Sequence, residues 1–491
     1  MFVGRDTELT HLEQLYKSDQ FQLAIIYGRR RVGKTTLIQE FIKDKVAIYY
    51  MGLESNAAEN LAALSEYILT PENDFIKVDT PRSPVFPDYS SAFSYVFSLA
   101  QNNRIVFVID EYPYLAGAYR GISSLLQRLI DTHSHESKLM LILCGSSLSF
   151  MEYQVLGYQS PLYGRRTAQF KVSPLSFFQA RQYFSRVSPN EQLTLSPDSG
   201  DATHEYSRMT PQEQLTLYSI SGGIPHYLNT LTAKPTLRES IISTFLTPNG
   251  YLFEEAQNLL KQECREPAQY NAIVRSIATG STRLSEIASK VGIDTGLCLK
   301  YITALMTLDI IKRDVPFGEE RSRRSIYRVA DGMFRFWYRY VPQNMTLIQR
   351  GESSVVYQRL ERDLPAYLGS AFEEVCMEWL WQESIAGRLP VRIYDMGRWW
   401  GNDRKRRTEV EIDIVAFTDD GTALFAECKW TNDRADKAVL ESLLSRSELF
   451  PQKQKMYYLF SKSGFTQGCE ELAAECGDVN LVSFARMMQD I

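Results

Sequence analysis

The first third of the chain is marked by short, unbroken apolar runs set between amphipathic stretches. Leu23-Ala24-Ile25-Ile26-Tyr27 is one such run, and a helical pattern follows from Leu37 to Ile42. Val46 to Tyr50, Arg104 to Ile109, Leu139 to Cys144 and Ala168 to Val172 repeat it, with helical periodicity between them. Runs of this length, rich in β-branched residues and apolar at every position, predict strands buried on both faces. Strands that alternate with helices predict a single parallel sheet over residues 1–180.

The pattern then changes. Ser188 to Pro211 is rich in Ser, Pro, Asp, Thr and Gln and is expected to form a surface insertion. Ser221-Gly222-Gly223-Ile224-Pro225-His226-Tyr227-Leu228 predicts a turn opening a helix, with Pro225 suited to a first helical position. A helical lid is expected over 181–267. Further on, Leu284, Ile287, Ala288 and Val291 stand at i, i+3, i+4 and i+7, Gly292 interrupts, and Cys298, Tyr301, Ile302, Leu305 and Met306 resume the helical spacing. Strand candidates Ile310 to Arg313 and Ser325 to Val329 complete a winged helix-turn-helix over 268–342. Its hairpin carries Arg321, Arg323 and Arg324, and the exposed face of its second helix carries Thr295, Lys300 and Thr303. Contact with a DNA backbone and docking of a protein both remain open for such a module.

In the last segment, 343–491, an amphipathic helix from Ala371 to Trp381 precedes a predicted hairpin. Its strands are Val410 to Phe417 and Ala423 to Trp430, joined at Asp419-Asp420-Gly421.

Composition adds bounds. At 491 residues the chain exceeds the usual size of one core, so several domains are expected. A net charge of −5 carries no overall nucleic-acid signature, which leaves only local basic clusters for such contacts. The 7 cysteines are scattered without a C-x-x-C pair, and His133 and His135 have no accompanying ligands, so neither disulfides nor a zinc site is expected. The start lacks a basic region followed by an apolar run, and no window approaches a membrane span. A cytoplasmic location without a membrane partner is the expectation.

Candidate chemistry begins at the end of the first strand. Gly28, Arg29, Arg30, Arg31, Val32, Gly33, Lys34, Thr35 and Thr36 contain G-x-x-x-x-G-K-[ST] between a strand and a helix. Glycines there permit a tight turn whose amides, with the helix N-terminus, face phosphate charge. Lys34 is expected at the β- and γ-phosphates of ATP, and the Thr35 hydroxyl on Mg²⁺. The strand from Arg104 ends in Asp110-Glu111, which suits Asp110 to Mg²⁺ and Glu111 to the attacking water. Gly145-Ser146-Ser147 ends another strand, and its hydroxyls are expected near the γ-phosphate.

A second cluster lies on the C-terminal hairpin. Side chains alternate along a strand, so Glu411 shares a face with Asp413, and Glu427 with Lys429. If the two faces coincide, Asp413 and Glu427 can hold Mg²⁺ at a phosphodiester while Lys429 positions water or stabilises the transition state, with Glu373 as a further carboxylate. A polar sheet face carrying salt bridges is the alternative. Upstream, Arg398-Trp399-Trp400-Gly401-Asn402-Asp403-Arg404-Lys405-Arg406-Arg407 interleaves aromatic and basic residues, as backbone contact and base stacking require.

With these residues in place, the chain resembles the archaeal-type ATPases of the AAA+/STAND group that carry a C-terminal domain related to the PD-(D/E)XK nucleases. Phe2-Val3-Gly4-Arg5-Asp6-Thr7-Glu8-Leu9 is similar to the segment those proteins place beside adenine, and Gly222-Gly223-Ile224-Pro225 to their lid motif. Glu373, Asp413, Glu427 and Lys429 correspond in type and order to the nuclease superfamily's metal-binding Glu, its Asp and its E-x-K, although no proline precedes Asp413. The resemblance implies an α/β fold: a P-loop ATPase parallel sheet with a helical lid, a winged helix-turn-helix and a C-terminal restriction-endonuclease-like domain. It implies ATP and Mg²⁺ as cofactors and hydrolysis of ATP, and the chain is expected to be either a DNA-directed nuclease or a nucleotide switch whose C-terminal domain recognises DNA or a partner without cutting. Leu162-Tyr163-Gly164-Arg165-Arg166 is a place for an arginine finger in a homo-oligomer, or for a salt-bridging pair.

Overall fold

The computed structural model describes residues 2–69, 85–185, 209–319, 322, 324–403 and 407–489. Most of the polar stretch from Ser188, the hairpin residues Arg321 and Arg323, and Arg404, Lys405 and Arg406 lie outside the described residues. The chain divides into two units, Met1–Leu175 with Ile224–His226, and Ser176–Gly223 with Tyr227–Ile491.

In the first unit, β1 (Gln22–Tyr27), β2 (Ala47–Met51), β3 (Ile105–Asp110), β4 (Leu139–Gly145) and β5 (Ala168–Lys171) form a parallel sheet in the order β2-β3-β4-β1-β5. Alternate residues serve opposite cores. Leu23, Ile25, Phe107 and Leu141 join Phe93 and Leu126 on one face, whereas Ala24, Ile26, Val108 and Ile142 join Leu12, Leu37 and Phe41 on the other. Helices therefore cover both sides, which is why these strands are apolar at every position.

The second unit contains the helices Leu284–Val291 and Thr295–Thr307, joined through Gly292 at φ 78°, a left-handed turn that glycine adopts without steric penalty. An antiparallel pair, β6 (Ile311–Asp314) and β7 (Ile326–Val329), follows. Cys298, Tyr301, Ile302 and Leu305 are buried, while Thr295, Lys300 and Thr303 are exposed. The exposed face of this helix also carries Leu297 and Leu299.

A mixed sheet in the same unit comprises β8 (Ile393–Asp403), β9 (Thr408–Thr418), β10 (Ala423–Lys429), β11 (Lys455–Ser461) and β12 (Val479–Ser483), in the order β12-β11-β10-β9-β8. β8, β9 and β10 are antiparallel neighbours, and β10, β11 and β12 run parallel. The fold is thus α/β, with a parallel sheet in the first unit and a separate mixed sheet in the second.

Two local expectations change. The helix expected at Ala371 to Trp381 is one part of a 33-residue helix, Ser353–Ile385, which passes through Pro365. Burial of Leu360, Leu364, Leu368 and Phe372 along one side holds its two halves in line despite the missing amide. The aromatic and basic stretch from Arg398 to Asp403 is the edge strand β8, with Trp399 packed on Phe450 at 5.0 Å between centroids, so Trp399 serves a core. Among the described residues no helix is long and apolar enough to cross a membrane.

Candidate functional site

The phosphate loop begins where β1 ends. A Cβ on Gly28 would lie 2.3 Å from the carbonyl oxygen of Val172, so the close approach of these two backbones admits only glycine. Val32 is fully buried and anchors the loop to the core around Leu37 and Phe41. Gly33 turns the chain at φ 94° into the helix Lys34–Ile42. Lys34 is 6% exposed, and its Nζ donates to the carbonyl oxygens of Gly28 and Arg29, both at 2.9 Å. Burial lowers the pKa of this ammonium, against the attraction of Cys144, Glu111 and Asp110. Thr35 and Thr36 are exposed at the helix start, and Arg29, Arg30 and Arg31 are half-buried along the loop. Pro225 belongs to this unit, with Cγ 3.8 Å from where a Cβ on Gly33 would stand.

Asp110, at the end of β3, accepts from two hydroxyls and a backbone amide. The hydroxyls of Thr35 and Tyr49 reach its Oδ2 at 2.8 and 2.6 Å, and the amide of Glu111 reaches Oδ1 at 2.9 Å. Burial opposes ionisation of Asp110, but hydrogen bonds from Cys144, Tyr49, Thr35 and the Glu111 amide hold its carboxyl below the usual range. Tyr49 escaped the sequence argument because nothing in the spacing of β2 says which strand end its hydroxyl will meet. A hydroxyl and a carboxylate oxygen in direct contact are hard donors, and they fit Mg²⁺. Glu111 sits at φ 47° and ψ 45°, a left-handed conformation that is uncommon for a residue with a side chain. Ser146 follows β4, the strand beside β3, and its Oγ donates to Glu111 Oε2 at 2.9 Å.

Arg165 forms a two-pronged pair with Asp131, at 2.6 Å through Nε and 2.7 Å through Nη2. Arg166 donates to the carbonyl of Leu156 at 3.0 Å. Both arginines of the finger candidate thus bind their own chain.

The second cluster depends on register. β9 and β10 pair through Ile414 and Ala426, so Asp413 and Glu427 stand opposite one another one step beyond. Asp413 Oδ2 accepts from the Cys428 amide at 2.8 Å. Lys429 Nζ lies 2.7 Å from Glu427 Oε1, and Arg446, from the helix Lys437–Ser447, approaches Glu427 Oε2 at 3.1 Å. Burial pushes the Asp413 carboxyl up to about 7, reinforced by the charges of Glu427 and Glu373, while the Cys428 amide and Lys429 oppose the rise. Glu373 is also raised, chiefly by burial, with Arg398 opposing. Its Oε2 lies 3.3 Å from Arg398 Nε as an ion pair, yet neither atom makes a hydrogen bond. Arg398 also pairs with Glu411.

Asp413, Glu427 and Lys429 are therefore neighbours. The donor chemistry of the facing Asp413 and Glu427 suits a hard divalent ion. Among the described residues, however, no group of three or more His, Cys, Asp or Glu side chains converges as a metal site. Glu373 supplies charge but does not complete a three-carboxylate set, because it faces Arg398. Arg446 and Arg398 were missed as members of this cluster, since their approach depends on packing across the sheet.

Residues 2–231 match the family of ATPase domains found predominantly in Archaea. An uncharacterized protein of Methanocaldococcus jannaschii is 30% identical over 468 residues, covering 94% of this chain and 96% of that protein. The chain belongs to this archaeal ATPase family. A second relative of the ATPase, an uncharacterized ATP-binding protein of the same organism, is 51% identical over 45 residues, which is 9% of this chain and 76% of that protein. Among solved structures, the Walker-type ATPase PABY2304 of Pyrococcus abyssi has a TM-score of 0.52 at 20% identity, covering 69% of this chain and 96% of that one, a likeness of fold. The parallel sheet of the first unit is accordingly the P-loop ATPase core. Residues 337–440 match a family of archaeal and bacterial proteins of unknown function.

Proposed function

We propose that this ATPase binds ATP at Gly28 to Thr36, hydrolyses it with Glu111 as the base, and uses nucleotide state to govern a DNA-directed C-terminal domain that cleaves phosphodiesters. Thr35 and Asp110 would hold Mg²⁺ at the nucleotide, and Asp413 and Glu427 a second divalent ion. That second ion would neutralise phosphate charge and lower the pKa of water. In this reading Lys34 draws charge from the β- and γ-phosphates, Ser146 orients Glu111, and Lys429 stabilises negative charge on the phosphodiester. The functional division runs 1–180 for the ATPase core, 181–267 for the lid, 268–342 for a winged helix that contacts DNA, and 343–491 for the nuclease-like domain. A homo-oligomer is compatible with the scheme but is not required by it.

The observation that carries the nuclease assignment is the facing pair Asp413 and Glu427 with Lys429 on the same strand face. Burial raises the Asp413 carboxyl, the charges of Glu427 and Glu373 add to the rise, and a divalent cation would relieve that repulsion. A second reading has its own support. Glu427 already faces Lys429 and Arg446, and Glu373 already faces Arg398, so the cluster can serve as a charged scaffold in a switch that binds DNA or a partner without cutting it.

Divalent occupancy separates the two readings. Mn²⁺ binding to the full chain, followed by paramagnetic resonance, should show a site that Asp413→Ala removes and Thr35→Ala leaves in place. With Mg²⁺ or Mn²⁺ the wild type should cleave DNA, and Asp413→Ala or Lys429→Ala should abolish cleavage while phosphate release from ATP continues. Unchanged Mn²⁺ stoichiometry in Asp413→Ala would assign the domain to binding without cleavage.

A further inference from the structure

At the end of the parallel sheet a single phenol bears on the carboxylate that closes β3. Tyr49 stands on β2 in register with Val108, so its side chain leaves the same face as Asp110, two residues further along β3. Its ring packs, half-buried, against the core that contains Val32, Leu37 and Val108, and its hydroxyl donates to Asp110 Oδ2 at 2.6 Å. Met51, directly beside Asp110 in the register, has no hydrogen-bonding group to match and is half-exposed. The contact from β2 therefore comes from one step back, through the length of the tyrosine ring.

The backbone fixes the end of β2 at this place. The Gly52 amide donates to the carbonyl oxygen of Asp110 at 2.8 Å, and a Cβ on Gly52 would lie 2.7 Å from the carbonyl oxygen of Glu111. So close an approach of two chains requires glycine, and it sets the position from which Tyr49 reaches forward. Thr35 Oγ1 donates to the same Asp110 oxygen at 2.8 Å. A carboxylate oxygen has two lone pairs, so the two hydroxyls fill Oδ2, while Oδ1 accepts from the Glu111 amide at 2.9 Å. The Cys144 thiol is a further, weaker donor to this carboxylate. The rotation of the Asp110 carboxylate is thus set by a strong donor from β2, one from the start of the helix Lys34–Ile42, and one from the chain just after β3.

We propose that Tyr49 is a positioning residue for the metal of the ATP site, holding Asp110 so that Oδ2 stays on Thr35 and Oδ1 has the acceptor capacity left for Mg²⁺ or one of its waters. The inference rests on the assignment of Thr35 and Asp110 to the Mg²⁺ of the nucleotide. Mg²⁺ demands near-ideal octahedral geometry, and groups that hydrogen-bond a metal's ligands change its affinity by about 10- to 100-fold when removed. Phenylalanine at position 49 keeps the packing of the ring and removes the donor. Asp110 then keeps its charge and its contact with Thr35 but is free to rotate. Lys34 and the amides of the phosphate loop are untouched, so the defect falls on the metal and not on the nucleotide.

The test is Mn²⁺ binding in the presence of ADP, followed by paramagnetic resonance on the full chain with Asp413→Ala, which leaves the nucleotide site alone to be read. Adding Tyr49→Phe should weaken Mn²⁺ by roughly tenfold, while ADP affinity measured in EDTA stays unchanged. In the otherwise wild-type chain, Tyr49→Phe should release phosphate severalfold more slowly at low Mg²⁺ and recover at saturating Mg²⁺, a dependence that lost packing does not produce. Thr35→Ala reports the underlying assignment and should weaken Mn²⁺ at least as much. If Thr35→Ala weakens Mn²⁺ and Tyr49→Phe does not, the proposal is overturned and the metal assignment stands. Unchanged Mn²⁺ affinity in both variants would overturn the assignment and the proposal with it. A loss of ADP affinity in EDTA, or a loss of phosphate release that added Mg²⁺ does not restore, would make Tyr49 a packing residue only and overturn the proposal.

Discussion

Ser146 donates its hydroxyl to Glu111 Oε2 at 2.9 Å, which ties the end of β4 to the carboxylate that follows β3. The backbone of Glu111 is left-handed, so the side chain reaches this position from a sparsely populated conformation. Ser146→Ala frees the carboxylate to rotate. Phosphate release should fall roughly tenfold with ATP affinity nearly unchanged, since orientation is lost and binding is not. An unaltered turnover number would show that Ser146 only fills space beside Glu111.

Lys34 and Glu111 should separate binding from turnover. Lys34→Ala removes the ammonium from the phosphate site and should both weaken ATP binding and stop hydrolysis. Glu111→Gln keeps the shape and the Ser146 contact but loses the base, so ATP should stay bound while phosphate release drops by about 100-fold or more. Equal turnover of wild type and Glu111→Gln would remove the carboxylate from its role.

The Asp413 carboxyl is raised to about 7, and this sets a pH dependence. An unfolded Asp titrates near about 3.9, so the folded state binds the proton more tightly. The stability contributed by the protonated form is complete below the unfolded value and is lost as pH rises through about 7. Thermal unfolding should therefore show a loss of stability between about pH 4 and about pH 7 that Asp413→Asn suppresses. Mg²⁺ or Mn²⁺ bound at Asp413 and Glu427 should stabilise wild type more at about pH 8 than at about pH 6, because the ion displaces the proton. A metal-induced shift of the midpoint that is independent of pH and of Asp413 would refute a shared ion there.

Neutralising Arg404, Lys405, Arg406 and Arg407 together tests the basic run between β8 and β9. DNA affinity measured by anisotropy should fall, and its dependence on salt should flatten by roughly 0.9 in logarithmic slope for each phosphate contact removed. The same affinity and slope in the variant would mean that the run is only solvated.

Arg165 is held by Asp131 at a partly exposed position. Arg165→Ala should change stability by no more than about 1 kcal/mol, the range of surface ion pairs, and should leave phosphate release per chain unaltered. A large loss of turnover, restored by mixing with Lys34→Ala chains, would instead establish an arginine finger acting between subunits.

Much of the phosphate-loop cluster was legible in the sequence because its residues are local. Gly28, Gly33, Lys34 and Thr35 lie within one turn and the start of one helix, and Asp110 and Glu111 end a single apolar run. The strands announced themselves because burial on both faces requires apolar residues at every position, as in β1, β3 and β4. The pairing of Glu427 with Lys429 on one face followed from alternation along β10.

What required tertiary structure was every relation between segments remote in the chain. Periodicity says which residues are buried but not which strand lies beside which, so the place of β4 between β1 and β3, and with it the contact of Ser146 with Glu111, arose only from packing. Tyr49 meets Asp110, Arg446 meets Glu427 and Arg398 meets Glu373 by the same route. β8 was hidden because an edge strand pairs on one side and tolerates the mixed charges and aromatics that read as a loop. The long helix through Pro365 was hidden because proline removes one backbone hydrogen bond, a local penalty that burial of its apolar side overcomes. Charge balance was settled last: each arginine and carboxylate is visible in the sequence, but whether it meets a partner depends on distances in space.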